Sequence, residues 1–229
     1  MFYECPFCEE YSGTKIAQNS RLIYADGGYA LVPTVGCFTE GYCLYLPTKH
    51  VTSFAFLGKV ELTRVQDELY KISDILKREY SSELIMAEHG AGSETKCGAS
   101  CINHAHIHLI PVNDSLMVLK QFLNVGGPPT ILNSMSDLSV LSGEPYIYLN
   151  WRGDKFLVWT NTEKFPRQFV RSVCATLHGL PDMWNWRMFP FYEEMKATTA
   201  RLKHHFAFGI REIPIVRPTN INRDEANVL

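Results

Sequence analysis

The chain lacks an excess of charge of either sign. Lys and Arg total 22 against 24 Asp and Glu in 229 residues, which gives a formal net charge of -2. Proteins that bind nucleic acid by neutralising its phosphates usually carry a basic surplus. We therefore expect no stable nucleic-acid partner.

Long apolar runs are absent as well. No stretch approaches the roughly 20 apolar residues that a helix needs to span a bilayer. The first residues, from Met1 to Pro6, lack the basic and apolar regions of a signal peptide. These absences predict a cytoplasmic protein with no membrane contact. The 46% hydrophobic content is enough for a substantial core.

The seven cysteines are an odd number, which argues against a disulfide framework. In a reducing compartment, thiols are more often metal ligands, core residues or catalytic groups. Cys5-x-x-Cys8 is consistent with a redox dithiol, a metal knuckle or a coincidence. A thioredoxin-like role is disfavoured because the motif does not follow a strand of a βαβ unit. For Cys97 and Cys101, packing is favoured over a second metal pair.

Apolar periodicity predicts an α+β fold. Residues Glu61 to Tyr80 place apolar side chains at alternating steps of three and four, which indicates an amphipathic helix. We expect this long helix to pack on an antiparallel β-sheet. Five segments rich in β-forming residues predict strands of that sheet: Arg21–Ala25, Tyr29–Pro33, Tyr42–Pro47, Leu84–Ala87 and Ala105–Val112.

The second half of the chain predicts a C-terminal α/β extension. A short helix over Ser115–Phe122 precedes a hairpin formed by Tyr146–Trp151 and Lys155–Trp159. Helical patterns follow at Arg167–His178 and at about Pro190–Phe206. We predict a boundary that separates residues 1–114 from residues 115–229, with a surface tail from about 213. The extension is interpreted as a cap or as a degenerate copy of the first half.

Three histidines alternate with apolar residues in the run from His104 to Pro111. A strand turns successive side chains to opposite faces, so His104, His106 and His108 are predicted to share one face. Ala105 and the other intervening apolar residues would then pack into a core. Neighbouring imidazoles would stand roughly 7 Å apart, close enough to serve one anion or adjoining sites.

Two thiolates and two imidazoles make a closed tetrahedral zinc site. Cys5 and Cys8 supply the thiolates, and His50 plus one histidine of the triplet would complete the set. The alternative is that the two thiols are ordinary and that His50 is merely exposed.

These residues resemble the histidine triad (HIT) superfamily of nucleotidyl hydrolases and transferases. The resemblance rests on the run Leu46–Val51, the long helix and the histidine triplet, and it covers about residues 3 to 112. Cys5-x-x-Cys8 sits where the zinc-binding branch of that superfamily carries the same motif. The resemblance implies a HIT-like catalytic domain with a zinc site in residues 1–114.

The resemblance assigns zinc to Cys5, Cys8, His50 and His104. All four positions around the ion would be filled by protein, so the zinc should be structural. The resemblance also makes His106 the nucleophile.

His108 matches a phosphate contact of the superfamily. His106 would attack the phosphorus attached to the nucleoside and form a nucleotidyl-histidine, which water or another acceptor would resolve. Charge on the phosphoryl oxygens would be stabilised by His108, by Ser100 and by backbone N–H groups of the Gly98-Ala99-Ser100 turn.

The chain departs from the family pattern ahead of the triad, where Gly98-Ala99-Ser100 lacks the usual glutamine. This turn is similar to that of dinucleoside tetraphosphate phosphorylases, which usually replace the third histidine with glutamine. Retention of His108 favours hydrolysis.

Two further residues are predicted substrate contacts. Glu88 or His89 would approach the ribose or phosphate, with a simple loop role as the alternative. Arg187 would reach phosphate from a lid formed around Trp184 and Trp186, although core packing is the more common role of such tryptophans.

We therefore predict a nucleotide hydrolase or nucleotidyltransferase that cleaves a phosphoanhydride, phosphoramidate or nucleotide-sugar bond. Three alternatives stay open: a dinucleoside polyphosphate phosphorylase, a non-catalytic zinc-stabilised nucleotide-binding protein, and a zinc scaffold for protein interaction. The expected partner is a nucleotide or nucleotide conjugate. A homodimer and an internally pseudo-symmetric monomer are both compatible with the sequence.

Overall fold

The computed structural model describes residues 5–11 and 20–207, so the predicted tail from about 213 lies outside the described residues. In this part of the chain eight strands form one antiparallel sheet, in the order β1-β2-β3-β5-β4-β7-β8-β6. The strands are β1 Tyr24–Asp26, β2 Tyr29–Pro33, β3 Cys43–Pro47, β4 Glu83–Gly90, β5 Ile107–Val112, β6 Thr130–Leu132, β7 Tyr146–Trp151 and β8 Lys155–Trp159. The predicted α+β class is confirmed.

Helices cover both faces of the sheet. The helices are α1 Pro6–Tyr11, α2 Lys59–Tyr80, α3 Ser115–Gly126, α4 Phe169–Leu177 and α5 Tyr192–Leu202. Helix α2 buries Leu62, Val65 and Leu69 in a core shared with Tyr45 and Leu109 of the sheet, as its periodicity predicts. The opposite face packs against α3 and α4 of the second half.

Short 3-10 helices connect several of these elements. They span Phe54–Phe56, Met135–Leu141, Thr162–Lys164 and Lys203–Phe206. The first follows the segment that bears His50, and so lies close in sequence to the candidate metal centre. The Met135–Leu141 segment was not predicted from the sequence, and neither was β6 before it.

The sheet runs without a break across the predicted boundary at residue 114. Strand β4 pairs antiparallel with β7, with Ala87 opposite Leu149 and Glu88 opposite Tyr148. The division into two parts stays a prediction, and the described strands on either side of it share one sheet. This shared sheet places α4 over the first half, where it becomes part of the site below.

A buried carboxyl joins the two halves. Glu88 in β4 is 1% exposed. Its Oε1 accepts the Phe54 backbone N–H at 2.9 Å, and its Oε2 is hydrogen bonded to the Tyr146 hydroxyl. Burial, which outweighs these bonds, raises the pKa of Glu88 to about 8. The folded protein therefore holds this carboxyl protonated at pH 7.

We expect Glu88→Gln to remove a pH dependence of folding stability. Unfolded Glu88 releases its proton near pH 4.5 and folded Glu88 near pH 8, so wild-type stability falls as pH rises between these values. Each pH unit in that window corresponds to about 1.4 kcal/mol. In urea unfolding at pH 5, 7 and 9, the free energy of unfolding of the variant should rise relative to that of the wild type, by on the order of a few kcal/mol from pH 5 to pH 9. Parallel stability curves would show that Glu88 is ionised in the folded state.

Candidate active site

The three histidines do not lie on one strand. Strand β5 begins at Ile107, so the prediction of a strand from Ala105 is wrong for its first two residues, and only His108 lies within β5. The reason is a long-range bond: the Ala105 backbone N–H donates to the Val51 carbonyl at 2.7 Å, outside the β3–β5 ladder. This bond places His104 beside the segment that carries His50.

The predicted alternation of faces is nevertheless confirmed for most of the run. Ala105, Ile107 and Leu109 pack into the core beneath α2. His106 and His108 lie together, and their ring centroids are 4.8 Å apart. Apolar side chains on one face therefore alternate with imidazoles on the other, although β5 begins only at Ile107.

Four side chains converge in a group that could hold a metal ion. One ligand atom from each of Cys5, Cys8, His50 and His104 lies within 4.8 Å of the others. His104 Nδ1 is 3.3 Å from Cys5 Sγ, and His50 Nδ1 is 3.2 Å from Cys8 Sγ. Cys8 lies in helix α1, and Cys5 immediately precedes this helix. The four residues predicted as ligands meet at one point.

The outer nitrogens of both imidazoles show which atoms face the centre of this group. His104 Nε2 is 2.8 Å from the Pro47 carbonyl and His50 Nε2 is 2.7 Å from Glu94 Oε1. Because these oxygens only accept, Nε2 carries the proton in each ring. The Nδ1 atoms then point at the sulfurs. Two sulfur and two nitrogen donors oriented in this way fit a tetrahedral metal ion with hydrogen-bonded outer partners.

His106 is outside this group, and its tautomer is fixed. Its Nδ1–H donates to the His104 carbonyl at 2.7 Å, so Nε2 keeps the free electron pair. Burial lowers the pKa of His106, so the ring is neutral at pH 7. The side chain is 8% exposed and lines a cavity. The ring of Phe7 lies 5.4 Å from that of His106 and 5.5 Å from that of His104.

His108 is held by a tyrosine. The Tyr42 hydroxyl is 2.7 Å from His108 Nδ1. Burial lowers the pKa of His108 well below its usual value, with the nearby His106, His89 and Arg171 acting in the same direction. Two neutral imidazoles therefore stand side by side, one of them with a free Nε2.

The cavity at these histidines has a volume of about 110 Å³ and opens to solvent. His89 lines it beside His106 and His108, and its role as a substrate contact stays a prediction. Burial lowers the pKa of His89 to about 3, and its Nε2 has no hydrogen-bond partner among the described residues. Trp186 contributes to the cavity wall, and α4 reaches it through Arg171.

The other predicted substrate contacts lie outside the cavity lining. Ser100 is buried and its hydroxyl donates to the Ile102 carbonyl at 2.8 Å. Ala99 is buried, and a side chain at Gly98, whose φ is 54°, would meet Pro145 of the second half. Arg187 is exposed, with its guanidinium 5.1 Å from the ring centroid of Trp186. Their roles in substrate binding stay predictions.

The sequence interpretation missed Arg171. This residue is 4% exposed, lies in α4 and lines the cavity with His106 and His108. One signal was available: Arg171 falls on the face of α4 that buries Val170 and Cys174, where a basic residue is unusual.

The fold and site define a class: an α+β protein in which a Cys2His2 group that could hold a metal ion adjoins a cavity lined by neutral histidines. No helix among the described residues is long and apolar enough to cross a membrane. No family model matches the chain. Over 118 residues the chain is 28% identical to uncharacterized HIT-like proteins from two strains of Mycobacterium tuberculosis, which covers 51% of this chain and 78% of each relative. The predicted resemblance to the histidine triad superfamily is confirmed.

Solved structures give distant matches. A HIT family protein from Bacillus anthracis has 21% identity and a TM-score of 0.40, covering 48% of this chain and 74% of that chain. A hypothetical histidine triad nucleotide-binding protein from Sulfolobus tokodaii has 19% identity and a TM-score of 0.39, covering 48% of this chain and 70% of that chain.

Proposed function

We propose that the protein is a nucleotide hydrolase or nucleotidyltransferase that works through a covalent nucleotidyl intermediate on His106. One observation carries the proposal: His106 directs its Nδ1 proton to the His104 carbonyl and lines the cavity without joining the metal-binding group. A neutral imidazole with a free Nε2 is a competent nucleophile toward phosphorus near pH 7.

The proposed reaction has two displacements. The Nε2 electron pair of His106 forms a bond to the phosphorus of the nucleoside phosphate, and the bond from phosphorus to the distal group breaks. The leaving group departs with the electron pair of the broken bond and takes a proton from solvent. Water then attacks the same phosphorus and loses a proton to solvent, and the phosphorus–nitrogen bond breaks with its electron pair returning to Nε2, which releases a nucleoside monophosphate and restores neutral His106. A phosphoanhydride, phosphoramidate or nucleotide-sugar bond fits this scheme.

His108 is the proposed contact to the phosphoryl oxygens, because its ring lies 4.8 Å from that of His106 in the same cavity. His89 offers a neutral acceptor to a hydroxyl of the substrate. The Gly98-Ala99-Ser100 turn, which the resemblance assigns to phosphate, lies outside the cavity lining, and the Ser100 backbone N–H donates to the Cys97 carbonyl at 3.0 Å, so its phosphate contact stays a prediction from the resemblance.

The metal is proposed to be Zn²⁺ held by Cys5, Cys8, His50 and His104, since two thiolates and two imidazoles are typical zinc donors. A zinc ion with four protein ligands supplies a structural cross-link and has no open position for substrate. The residues that do the chemistry are therefore those of the cavity.

A panel of substrates tests the proposed activity. The protein is incubated with a dinucleoside polyphosphate, a nucleotide sugar and a nucleoside phosphoramidate in ¹⁸O-labelled water, with and without inorganic phosphate. We expect a nucleoside monophosphate that carries one ¹⁸O atom. A nucleoside diphosphate formed only with added phosphate would identify a phosphorylase. Release of no product from any substrate would contradict the enzymatic proposal and favour a nucleotide-binding role.

We expect Glu94→Gln to weaken zinc binding by about tenfold or more, because Glu94 accepts the Nε2 proton of His50. Competition with a chromophoric zinc chelator measures the affinity. The matched control is Glu144→Gln, an exposed glutamate that pairs with Lys96 instead. Equal zinc affinity of both variants would contradict an outer-sphere role for Glu94.

A further inference from the structure

Arg171 is a cation that the fold buries in the wall of the cavity that holds His106 and His108. It is 4% exposed and lines the cavity together with His106 and His108. Its guanidinium lies 5.1 Å from the ring centroid of Tyr42, the residue that contacts His108. The second half of the chain thus places a positive charge at the proposed reaction centre.

The guanidinium is held in a fixed orientation. Nε donates to the Trp184 carbonyl at 2.9 Å, and Nη2 donates to the Gly36 carbonyl at 2.6 Å. The loop that contains Gly36 precedes α4 in the sequence, and the loop that contains Trp184 follows it. A side chain anchored at two nitrogens cannot swing out to solvent, so its charge stays in the cavity wall.

Arg171 forms no ion pair with a carboxylate in the part of the chain that the structure describes. None of the ion pairs among the described residues includes it, whereas the other arginine of the cavity, Arg21, pairs with Glu10. Burying an unpaired charge costs several kcal/mol, roughly, unless another group compensates it. Carbonyl dipoles and aromatic faces do so only in part. An anionic ligand in the cavity would supply the missing charge.

We propose that Arg171 binds the phosphoryl group of the substrate at His106, and that the cavity therefore prefers ligands that carry a phosphate anion. This inference rests on the proposed function, which places phosphorus at His106. Guanidinium groups form strong, charge-assisted hydrogen bonds to phosphate oxygens. A substrate-binding residue therefore comes from the extension, outside the segment that carries the histidine triad.

Gln168 provides a way to test this charge without removing any packing atoms. It lines the same cavity, and its Oε1 is buried with no hydrogen-bond partner among the described residues. Gln168 immediately precedes α4 and lines the same cavity as Arg171. Gln168→Glu keeps the shape of the side chain and adds a carboxylate that competes with phosphate for Arg171.

Isothermal titration of the zinc-loaded protein gives the readout. AMP and UMP are compared with adenosine and uridine, which lack the phosphate. We expect the wild type to prefer each nucleotide over its nucleoside, and Arg171→Gln to reduce this preference by about 10- to 100-fold. Gln168→Glu should reduce this preference in the same direction.

A wild type without the preference, or folded variants that both keep it, would overturn the inference. If Arg171→Gln fails to fold, Gln168→Glu decides alone. Failure of the proposed function gives a different result. If the variants lose the preference but no covalent adduct forms on His106, Arg171 still binds the phosphate anion and only the proposed function fails. An adduct on His106 with an unchanged preference refutes only the role of Arg171.

Discussion

Replacing His106 with Asn should abolish turnover, with a loss on the order of 10⁴-fold or more. An asparagine amide still donates to the His104 carbonyl, which His106 now bonds at 2.7 Å, but it has no nucleophilic nitrogen. The variant should therefore fold normally and keep its metal. Initial rates on the best substrate of the panel, together with metal content and thermal unfolding, measure these effects.

His178→Asn is the matched control. His178 also bonds a backbone carbonyl, that of Pro111 at 2.9 Å, and it is absent from the cavity lining. Its replacement should leave the rate within about twofold, since no group that touches substrate changes. A His106→Asn rate within tenfold of the wild type would refute the nucleophilic role.

Cys8→Ser should remove the metal and with it both stability and activity. The metal would join α1 to His50 and His104, and α1 places Phe7 against the rings of His104 and His106. We expect the melting temperature to fall by about 10 °C or more, which for a chain of this size corresponds to roughly 3 kcal/mol or more. Activity should fall because the carbonyl that orients His106 belongs to the ligand His104.

Cys97→Ser controls for loss of a thiol. Cys97 is partly exposed and accepts a hydrogen bond from Asn103, outside the metal-binding group. Elemental analysis and differential scanning calorimetry compare the two variants with the wild type and with chelator-treated wild type. Full metal content and an unchanged melting temperature in Cys8→Ser would show that the four residues do not bind a structural ion.

Local patterns allowed much of the fold to be predicted. Helix α2 begins at Lys59, two residues before the predicted start, and ends at Tyr80. The strands of the second-half hairpin have the predicted bounds, because alternation and the intervening Arg152-Gly153-Asp154 turn are local signals. The start of β5 at Ile107 could not be predicted from the sequence, because it depends on the hydrogen bond between Ala105 and Val51, which are far apart in sequence.

The candidate site could likewise be predicted only in part. The metal-binding group could be predicted because residue type and family resemblance together specify it, and the structure brings Cys5 and His104 within 3.3 Å. Arg171 could not, because its position at the cavity arises from packing of α4 across the sheet. Ser100 shows the converse: its motif suggests a substrate contact, yet its hydroxyl is bonded to the Ile102 carbonyl.

Mapping the covalent intermediate tests the central claim most directly. The zinc-loaded protein is mixed with a substrate found in the panel, quenched in alkali, where a phosphorus–nitrogen bond to histidine survives, and digested for mass spectrometry. The account predicts a nucleotidyl group on His106 and none on His104, His108 or His89. Label on any of those three residues, or turnover that leaves His106 unlabelled at every quench time, would contradict it.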